Sequence, residues 1–308
     1  MDFTLSWESL KRPLFCANNI KIMIQTKHIY LAAISFIALL IGVLFIYKVW
    51  QPRQQLKTKY QTFTQAHTNL QTAEEHLLQA CKENNDDVIY YLLTYKKRSF
   101  KNIPNIYNKL GNAYHDQGKY DKAIQYYQQS LKIFLKKLGE NHQNTATIYY
   151  NLGMGYYWKC EYDKAIQYLQ KSLKIRLKTL GEDHQKTAYA YNNLGVGYYS
   201  KHEYDKSIQY LQKSLKIRLK VLGEEHQETA DSYHNLGMGY YMKHEDGKAI
   251  QYYKKALEIF LKTPGKHHQD IATIYNSLSK IYLRKGQLQL SIEYELKERE
   301  IEERQEPQ

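Results

Sequence analysis

Tyr120-Asp121-Lys122-Ala123-Ile124-Gln125-Tyr126 returns as Tyr162-Asp163-Lys164-Ala165-Ile166-Gln167-Tyr168, 42 residues on (162 − 120). It returns again from Tyr204, with Ser207 in place of the alanine, and frays at 246–252. Leu110-Gly111 keeps the same period as Leu152-Gly153, Leu194-Gly195 and Leu236-Gly237. A fixed period of this length marks a stacked array, because one unit cannot bury its apolar face alone and neighbours must bury it. Four copies fill Ile106 to Thr273, and a fifth begins at Ile274. The class of function such an array supports is surface for holding partners.

Within the copy from Ile148 to Tyr189, Tyr149, Leu152, Gly153, Tyr156 and Tyr157 fall at i, i+3, i+4, i+7 and i+8, one face of a helix. Glycine inside a helix costs roughly 1 kcal/mol against alanine, so its return in every full copy predicts a close helix–helix approach. A turn is expected near Lys159 to Tyr162. A second helix follows from about Tyr162 to Leu180, burying Ala165, Leu169, Ser172, Leu173, Leu177 and Leu180. Its opposite face, Lys164, Gln167, Lys171, Lys174 and Lys178, reads as a solvated basic stripe, repeated as Lys206, Gln209, Lys213, Lys216 and Lys220. Gly181 suits a C-terminal cap, as do Gly139, Gly223 and Gly265. Glu182 and Asp183 then lead into the next helix, where acid is favoured.

The chain carries 44 Lys+Arg against 31 Asp+Glu, net +13. From Glu293 to Gln308 there are seven Glu against Lys297, Arg299 and Arg304, a net of −4, which leaves +17 for the rest. Such an excess suits acidic peptides, membrane surfaces or nucleic acid, or simply keeps exposed helices soluble. Cys16, Cys81 and Cys160 have no short spacing, which excludes a zinc knuckle and a disulfide framework.

Ile29 to Tyr47 carries no charge over 19 residues (29 through 47), close to the length that spans a bilayer as a helix. Tyr30, Tyr47 and Trp50 lie near its ends, where aromatic rings prefer the interface. Pro52 follows, a residue at which a helix can stop. A cleaved leader would be shorter and end in a small-x-small site, which Phe45-Ile46-Tyr47-Lys48-Val49-Trp50 does not supply. Lys11, Arg12, Lys21 and Lys27 before the span balance Lys48, Arg53, Lys57 and Lys59 after it. Met23 is an alternative start that would leave only Lys27 upstream. With no Asn-x-Ser/Thr sequon in the chain, these features favour an array in the cytosol.

Leu56, Tyr60, Phe63, His67, Leu70, Glu74 and Leu77 are spaced 4-3-4-3-4-3, a heptad seam. It reads either as a short coiled coil giving a weak homodimer through 54–80, or as a helical cap partnered by 86–98. The organisation expected is an N-terminal flank at 1–28, an anchor at 29–50 and a helical juxtamembrane region at 51–105. The array follows at 106–292, with units starting at 106, 148, 190, 232 and 274, and an acidic tail at 293–308.

The repeat resembles the tetratricopeptide repeat. Tyr107, Leu110-Gly111, Tyr114, Ala123, Tyr127 and Ser130 stand where that family has its aromatic, Leu-Gly, Tyr, Ala, large and small positions. The pattern recurs as Tyr149, Leu152-Gly153, Tyr156, Ala165, Leu169, Ser172, and from Tyr191 and Tyr233. The fifth copy keeps Tyr275, Leu278 and Tyr282, but has Ser279 for glycine and Glu295 and Glu298 at positions its neighbours bury, so a polar terminal helix is expected. The usual period is 34. The 42-residue unit, with its Leu-Gly-Glu-x-His link and Tyr191-Asn192-Asn193-Leu194, resembles the kinesin-light-chain subtype over about 106–292. A membrane anchor and the lack of a long N-terminal coiled coil are departures from kinesin light chains.

The resemblance implies an all-α fold: a right-handed superhelical solenoid of antiparallel helix pairs, here preceded by a single transmembrane helix. It also implies a groove lined by the first helices that holds an extended protein or peptide segment, acidic ones matching the basic excess. Lys109, Asn151, Asn193 and Asn235 fall on its wall, and Tyr157, Trp158, Tyr199 and Tyr241 could add aromatic pockets. His142, His184, His226 and His268 recur too far apart to share one metal ion and read as parts of the link. No phosphate loop, metal-ligand pair or nucleophile elbow points to an enzyme, and no cofactor is called for. The expected function is a membrane-anchored scaffold. The alternatives are a kinesin-light-chain-like cargo adaptor, or binding of an anionic membrane surface by the lysine stripe. Nucleic acid fits less well, because the stripe alternates lysine with glutamine and lacks interleaved aromatics.

Overall fold

Leu39, Leu40 and Phe45 open the described chain with nothing covering them. They belong to helix α1 (Ala33–Ala66), whose apolar window has a mean hydropathy of 2.2 and no buried share. By length and composition it is the one helix among the described residues able to cross a membrane. The computed structural model describes residues 31, 33–68, 72–96, 102–262 and 267–303, all helix and turn with no strand among them. The chain divides into two units, Met1–Ser99 and Phe100–Gln308.

Pro52, where a helix can stop, does not end α1. Proline removes one N–H and crowds the carbonyl four residues back. The helix accommodates this with a π turn at Ile46–Trp50, in which Gln51 donates its N–H to Ile46 O, five residues back. α1 does end at Ala66, and this breaks the heptad seam. Thr72 starts α2 (Ala73–Lys82) with a capping box shared with Glu75. α3 is Asp86–Tyr95. Instead of waiting for a second chain, Tyr60 stacks on Tyr91 at 5.1 Å, and Phe63 is buried. Leu77, Ala80, Val88 and Leu92 complete this small core. Of the two readings of the seam, the packing agrees with the one that partners this stretch with 86–98, and the helix is not continuous over 54–80; Leu70 lies outside the described residues.

The second unit holds five antiparallel pairs. Copy 1 is α4 (Ile103–Asp116) and α5 (Tyr120–Leu138), and copy 2 is α6 (Gln143–Trp158) and α7 (Tyr162–Leu180). Copy 3 is α8 (Gln185–Ser200) and α9 (Tyr204–Val221), and copy 4 is α10 (Gln227–Met242) and α11 (Asp246–Phe260). Copy 5 is α12 (His268–Arg284) and α13 (Leu288–Glu303), so α13 continues past residue 292.

The glycines do what their period implied. A Cβ at Gly153 would lie 2.7 Å from Leu169 Cγ and 3.2 Å from the Ala165 carbonyl, and one at Gly195 would lie 2.6 Å from Leu211 Cγ. The small residue of the second helix closes the same contact from the other side. Ser172 Oγ donates to Ala146 O at 2.7 Å, and Ser214 Oγ to Ala188 O at 2.9 Å. The second helix also buries Ile166, Ile175 and Arg176, while Leu177 and Leu180 stay half-exposed.

The first three links are built the same way. Gly139, Gly181 and Gly223 take φ of 80°, 85° and 88°, while Gly265 lies outside the described residues. Thr145, Thr187 and Thr229 donate their hydroxyls back to those glycine carbonyls. His142, His184 and His226 cap the next helix, each ring Nδ1 accepting a backbone N–H two residues on. The fourth link departs from this. The cap position falls on His267, which makes no side-chain cap bond, and His268 is already helical.

Between the paired helices the turn residue is left-handed: Gly118 and Gly286 in the outer copies, Cys160, His202 and His244 in the inner ones, at φ 61°, 62° and 58°. A side chain in this region costs roughly 1–2 kcal/mol. His244→Gly is therefore expected to stabilise the array by about 0.5–1 kcal/mol, part of the relief being lost to the freer unfolded chain. Urea unfolding followed by circular dichroism checks it; a lower midpoint would show that the histidine ring contributes more than the strain costs.

Candidate functional site: the face of the first helices

Successive first helices touch each other directly. Asn151 Nδ2 donates to Asn108 Oδ1 at 2.7 Å, Asn193 Nδ2 to the Tyr150 hydroxyl at 3.4 Å, and Asn235 Nδ2 to Asn192 Oδ1 at 3.1 Å. Ser200 Oγ donates to the Tyr157 hydroxyl at 3.2 Å. The helices α4, α6, α8 and α10 thus stand side by side as one wall. Each of the three asparagines spends an N–H on the neighbouring copy. Their carbonyl oxygens accept no hydrogen bond among the described residues.

A cleft of about 250 Å³ opens on this wall between copies 1 and 2, lined by Asn112, His115, Asp116, Tyr127, Tyr150, Asn151 and Met154. Tyr127 reaches in from α5 and donates to Asn112 Oδ1 at 2.9 Å. Burial, then Asp116 and Tyr150, push the Tyr127 phenol up, so it stays a neutral donor. His115 Nε2 is shielded and without a hydrogen-bond partner among the described residues.

Beside the cleft, Trp158 is half exposed and lies parallel to Tyr120 at 6.2 Å, with His115 edge-on at 6.5 Å. Tyr157 meets Trp158 edge-on at 5.6 Å. Tyr157, Tyr199 and Tyr241 form a row; burial raises the Tyr199 pKa, and Tyr204, Tyr241 and Tyr157 add to it in that order. The Arg284 guanidinium covers the Tyr241 ring at 5.3 Å. Lys109 is exposed on α4. Asn151 and the Trp158 aromatics thus share one region, while Asn193 and Asn235 belong to later junctions.

Two residues under this face were missing from the sequence reading. Arg176 donates to Lys186 O at 2.7 Å and lies 5.1 Å from the Tyr150 ring centre. Arg218 donates to Glu228 O at 2.5 Å and to Ser232 Oγ at 2.8 Å, and covers Tyr189 at 5.2 Å. Burial lowers both guanidinium pKa values. The period did hold a signal: this position reads Phe134, Arg176, Arg218, Phe260, with charge only in the inner copies.

The lysine stripe is exposed along its whole length, and its lysines also make local contacts. In every copy a tyrosine from each helix stacks in parallel, as Tyr156 does on Tyr168 at 5.4 Å and Tyr198 on Tyr210 at 5.3 Å. Lys164 and Lys206 cap these stacks at 5.3 Å from the ring centres. Both also pair with a glutamate at 2.6 Å, Glu161 and Glu203. Lys159, Lys201 and Lys243 tie each turn to Asp121, Asp163 and Asp205 of the preceding copy.

Between copies 4 and 5, His234 is buried with Nδ1 3.7 Å from Asp270, which also faces His267 at 3.3 Å. Burial lowers the His234 pKa, and Asp270 opposes this. A histidine depressed in the folded state takes up its proton in the unfolded chain first. Stability is therefore full above the ordinary value near 6.5 and falls as pH drops through it. Burial raises Asp231 nearby, a trend of opposite sign. His234→Asn, the residue copy 3 has as Asn192, is expected to remove about 1 kcal/mol of the stability change between pH 7.5 and 5.5. Chemical denaturation of both proteins at the two pH values checks it; identical slopes would sink the assignment.

Among the described residues no three His, Cys, Asp or Glu side chains converge on a point that could hold a metal.

The sequence profile of the tetratricopeptide repeat matches residues 102–178, 147–219, 188–262 and 247–303. The chain belongs to the tetratricopeptide repeat family. No curated protein matches it by sequence. Its fold is similar to a Podosopora anserina putative kinesin light chain with nearly identical TPR-like repeats, at 20% identity and a TM-score of 0.57, covering 68% of this chain and 100% of that one. It is also similar to BtubC (BKLC) from P. vanneervenii, at 20% identity and a TM-score of 0.61, covering 77% and 95%. The apo form of RapI matches at 17% identity and a TM-score of 0.51, covering 81% and 99%. At these identities the likeness concerns the fold, a tetratricopeptide solenoid.

Proposed function

We propose that this protein is a membrane-anchored scaffold that grips an extended segment of a partner protein along its first helices, with α1 as the anchor and the array in the cytosol. The observation that carries the reading is the asparagine row. Each side chain is already oriented by a bond to its neighbour copy, and each presents an unused carbonyl oxygen. Oriented amides can accept backbone N–H groups without demanding a side-chain sequence. The cleft at Asn112 and Asn151, with Trp158 beside it, supplies a place for one anchoring side chain.

The anionic-surface alternative is weaker, because Lys164, Lys206 and Lys248 pair with Glu161, Glu203 and Glu245 of the same turns. The likeness to kinesin light chains adds no support for a motor-adaptor role beyond the shared fold.

The test is proximity capture in cells with the full chain and with Asn151, Asn193 and Asn235 all changed to alanine. Loss of the captured proteins, with far-UV circular dichroism intact, supports the groove. An unchanged capture profile overturns it.

A further inference from the structure

The last helix breaks the rule by which this array covers its apolar side chains. In copies 1 to 3 the second helix carries Ile124, Ile166 and Ile208, each 6% exposed. Each lies against the next copy's first helix where that helix has Gly155, Gly197 or Gly239. A Cβ on those glycines would fall 2.9, 3.2 and 2.9 Å from the isoleucine Cγ1. Ile292 is the same position two periods after Ile208 (292 − 208 = 84 = 2 × 42), and it is 48% exposed. Leu288 and Leu296, one turn to either side, are 59% and 58% exposed.

Spaced i, i+4 and i+8, the three form one apolar stripe along α13. Ser291 and Ile301 are buried on the side that holds α13 to its own copy, so the stripe faces away. Leu296 stands where copies 2 and 3 have Gln170 and Gln212, whose amides donate to the next copy's Tyr198 and Tyr240 hydroxyls at 3.1 and 3.0 Å. The polar contact of the inner junctions is thus replaced by an apolar one. The terminal helix is not the polar cap its glutamates implied.

Those glutamates frame the stripe. Glu293 and Glu295 flank it and pair with Lys297 and Arg299. Glu300, Glu302 and Glu303 continue beyond it, with no ion pair among the described residues. At the inner junctions the equivalent positions are covered by a helix, so a helix is the shape that fits. The acidic frame selects its charge. A second copy using this same face would set glutamates against glutamates, which opposes a symmetric pair.

We propose that the Leu288–Ile292–Leu296 stripe docks an amphipathic helix of a partner protein, whose basic side chains meet Glu300, Glu302 and Glu303. It is a second interaction surface, separate from the first-helix face.

The probes are two labelled synthetic helices of about five turns with the same leucine stripe, one flanked by lysines and one by glutamates. They are titrated by fluorescence anisotropy into the full chain held in neutral-lipid nanodiscs, with empty nanodiscs as the blank. The lysine-flanked helix is expected to bind, and Ile292→Glu to weaken it at least about tenfold with circular dichroism unchanged. Changing Glu300, Glu302 and Glu303 together to lysine keeps the stripe and is expected to transfer preference to the glutamate-flanked helix. Failure of the lysine-flanked helix to bind, equal binding of both helices by the unaltered chain, or undiminished binding by Ile292→Glu overturns the proposal. So does light scattering that shows dimers abolished by Ile292→Glu, which would assign the face to a second copy.

Discussion

Replacing Leu194 with alanine is expected to lower the unfolding free energy of the array by about 3–4 kcal/mol, the middle of the range for a fully buried leucine. Leu194 is 0% exposed and packs among Ile166, Leu169 and Tyr191, so its cavity opens at the junction of copies 2 and 3. Helix packing on both sides limits how far that site can collapse. Leu278→Ala removes the same atoms at an equally buried position in copy 5. A repeat array, however, is held by nearest-neighbour interfaces, and an end copy has only one. The terminal substitution should free α12 and α13 while the rest of the array keeps its midpoint. The central one should shift the whole transition. Hydrogen exchange in moderate urea separates the two outcomes. Equal, local loss of protection in both variants would contradict the nearest-neighbour account.

That contrast bears on how much could be read from the sequence. A period reports on contacts that recur, and the recurring contacts were legible: the Leu-Gly approach, the small residue opposite it, the Tyr162 start and the glycine that ends each link. These depend on local spacing along one or two helices. Helical periodicity places Lys164 outward, where it is exposed, but does not show that Tyr156, from the preceding helix, rises to meet it. Arg176 and Arg218 leave little trace in the sequence because they occupy an apolar position and both donate to backbone carbonyls of the next copy, those of Lys186 and Glu228. Backbone acceptors leave no mark in a sequence. The heptad seam left two readings open for a different reason. Its spacing is real, but Thr72 and Glu75 supply a stronger local signal, a capping box that starts a new helix in the middle of it. For the first-helix asparagines, the spacing shows their place beside the packing face but not that each amide already donates a hydrogen bond to the neighbouring copy.

Arginine at both Ile37 and Leu44 is expected to move the protein from the membrane pellet to the supernatant after alkaline extraction. Both side chains are more than half exposed, in a window of mean hydropathy 2.2 with no buried share. On an insertion scale, exchanging leucine or isoleucine for arginine near the centre of a spanning helix costs about 3 kcal/mol, and two cost about 6. That is on the order of 10⁴-fold in the insertion equilibrium. The positions are seven residues apart and share a face, so neither can be hidden by rotating the helix. The lysines and arginines that follow, Lys48, Arg53 and Lys57, are already exposed and can stay in water at the same rotation. A control exchanging Ile37 for leucine and Leu44 for isoleucine keeps the apolar surface and should remain in the pellet. If α1 is instead covered by other protein in a soluble assembly, the unaltered chain will already extract into the supernatant. That result would remove the anchor from the proposed function while leaving the array and its faces intact.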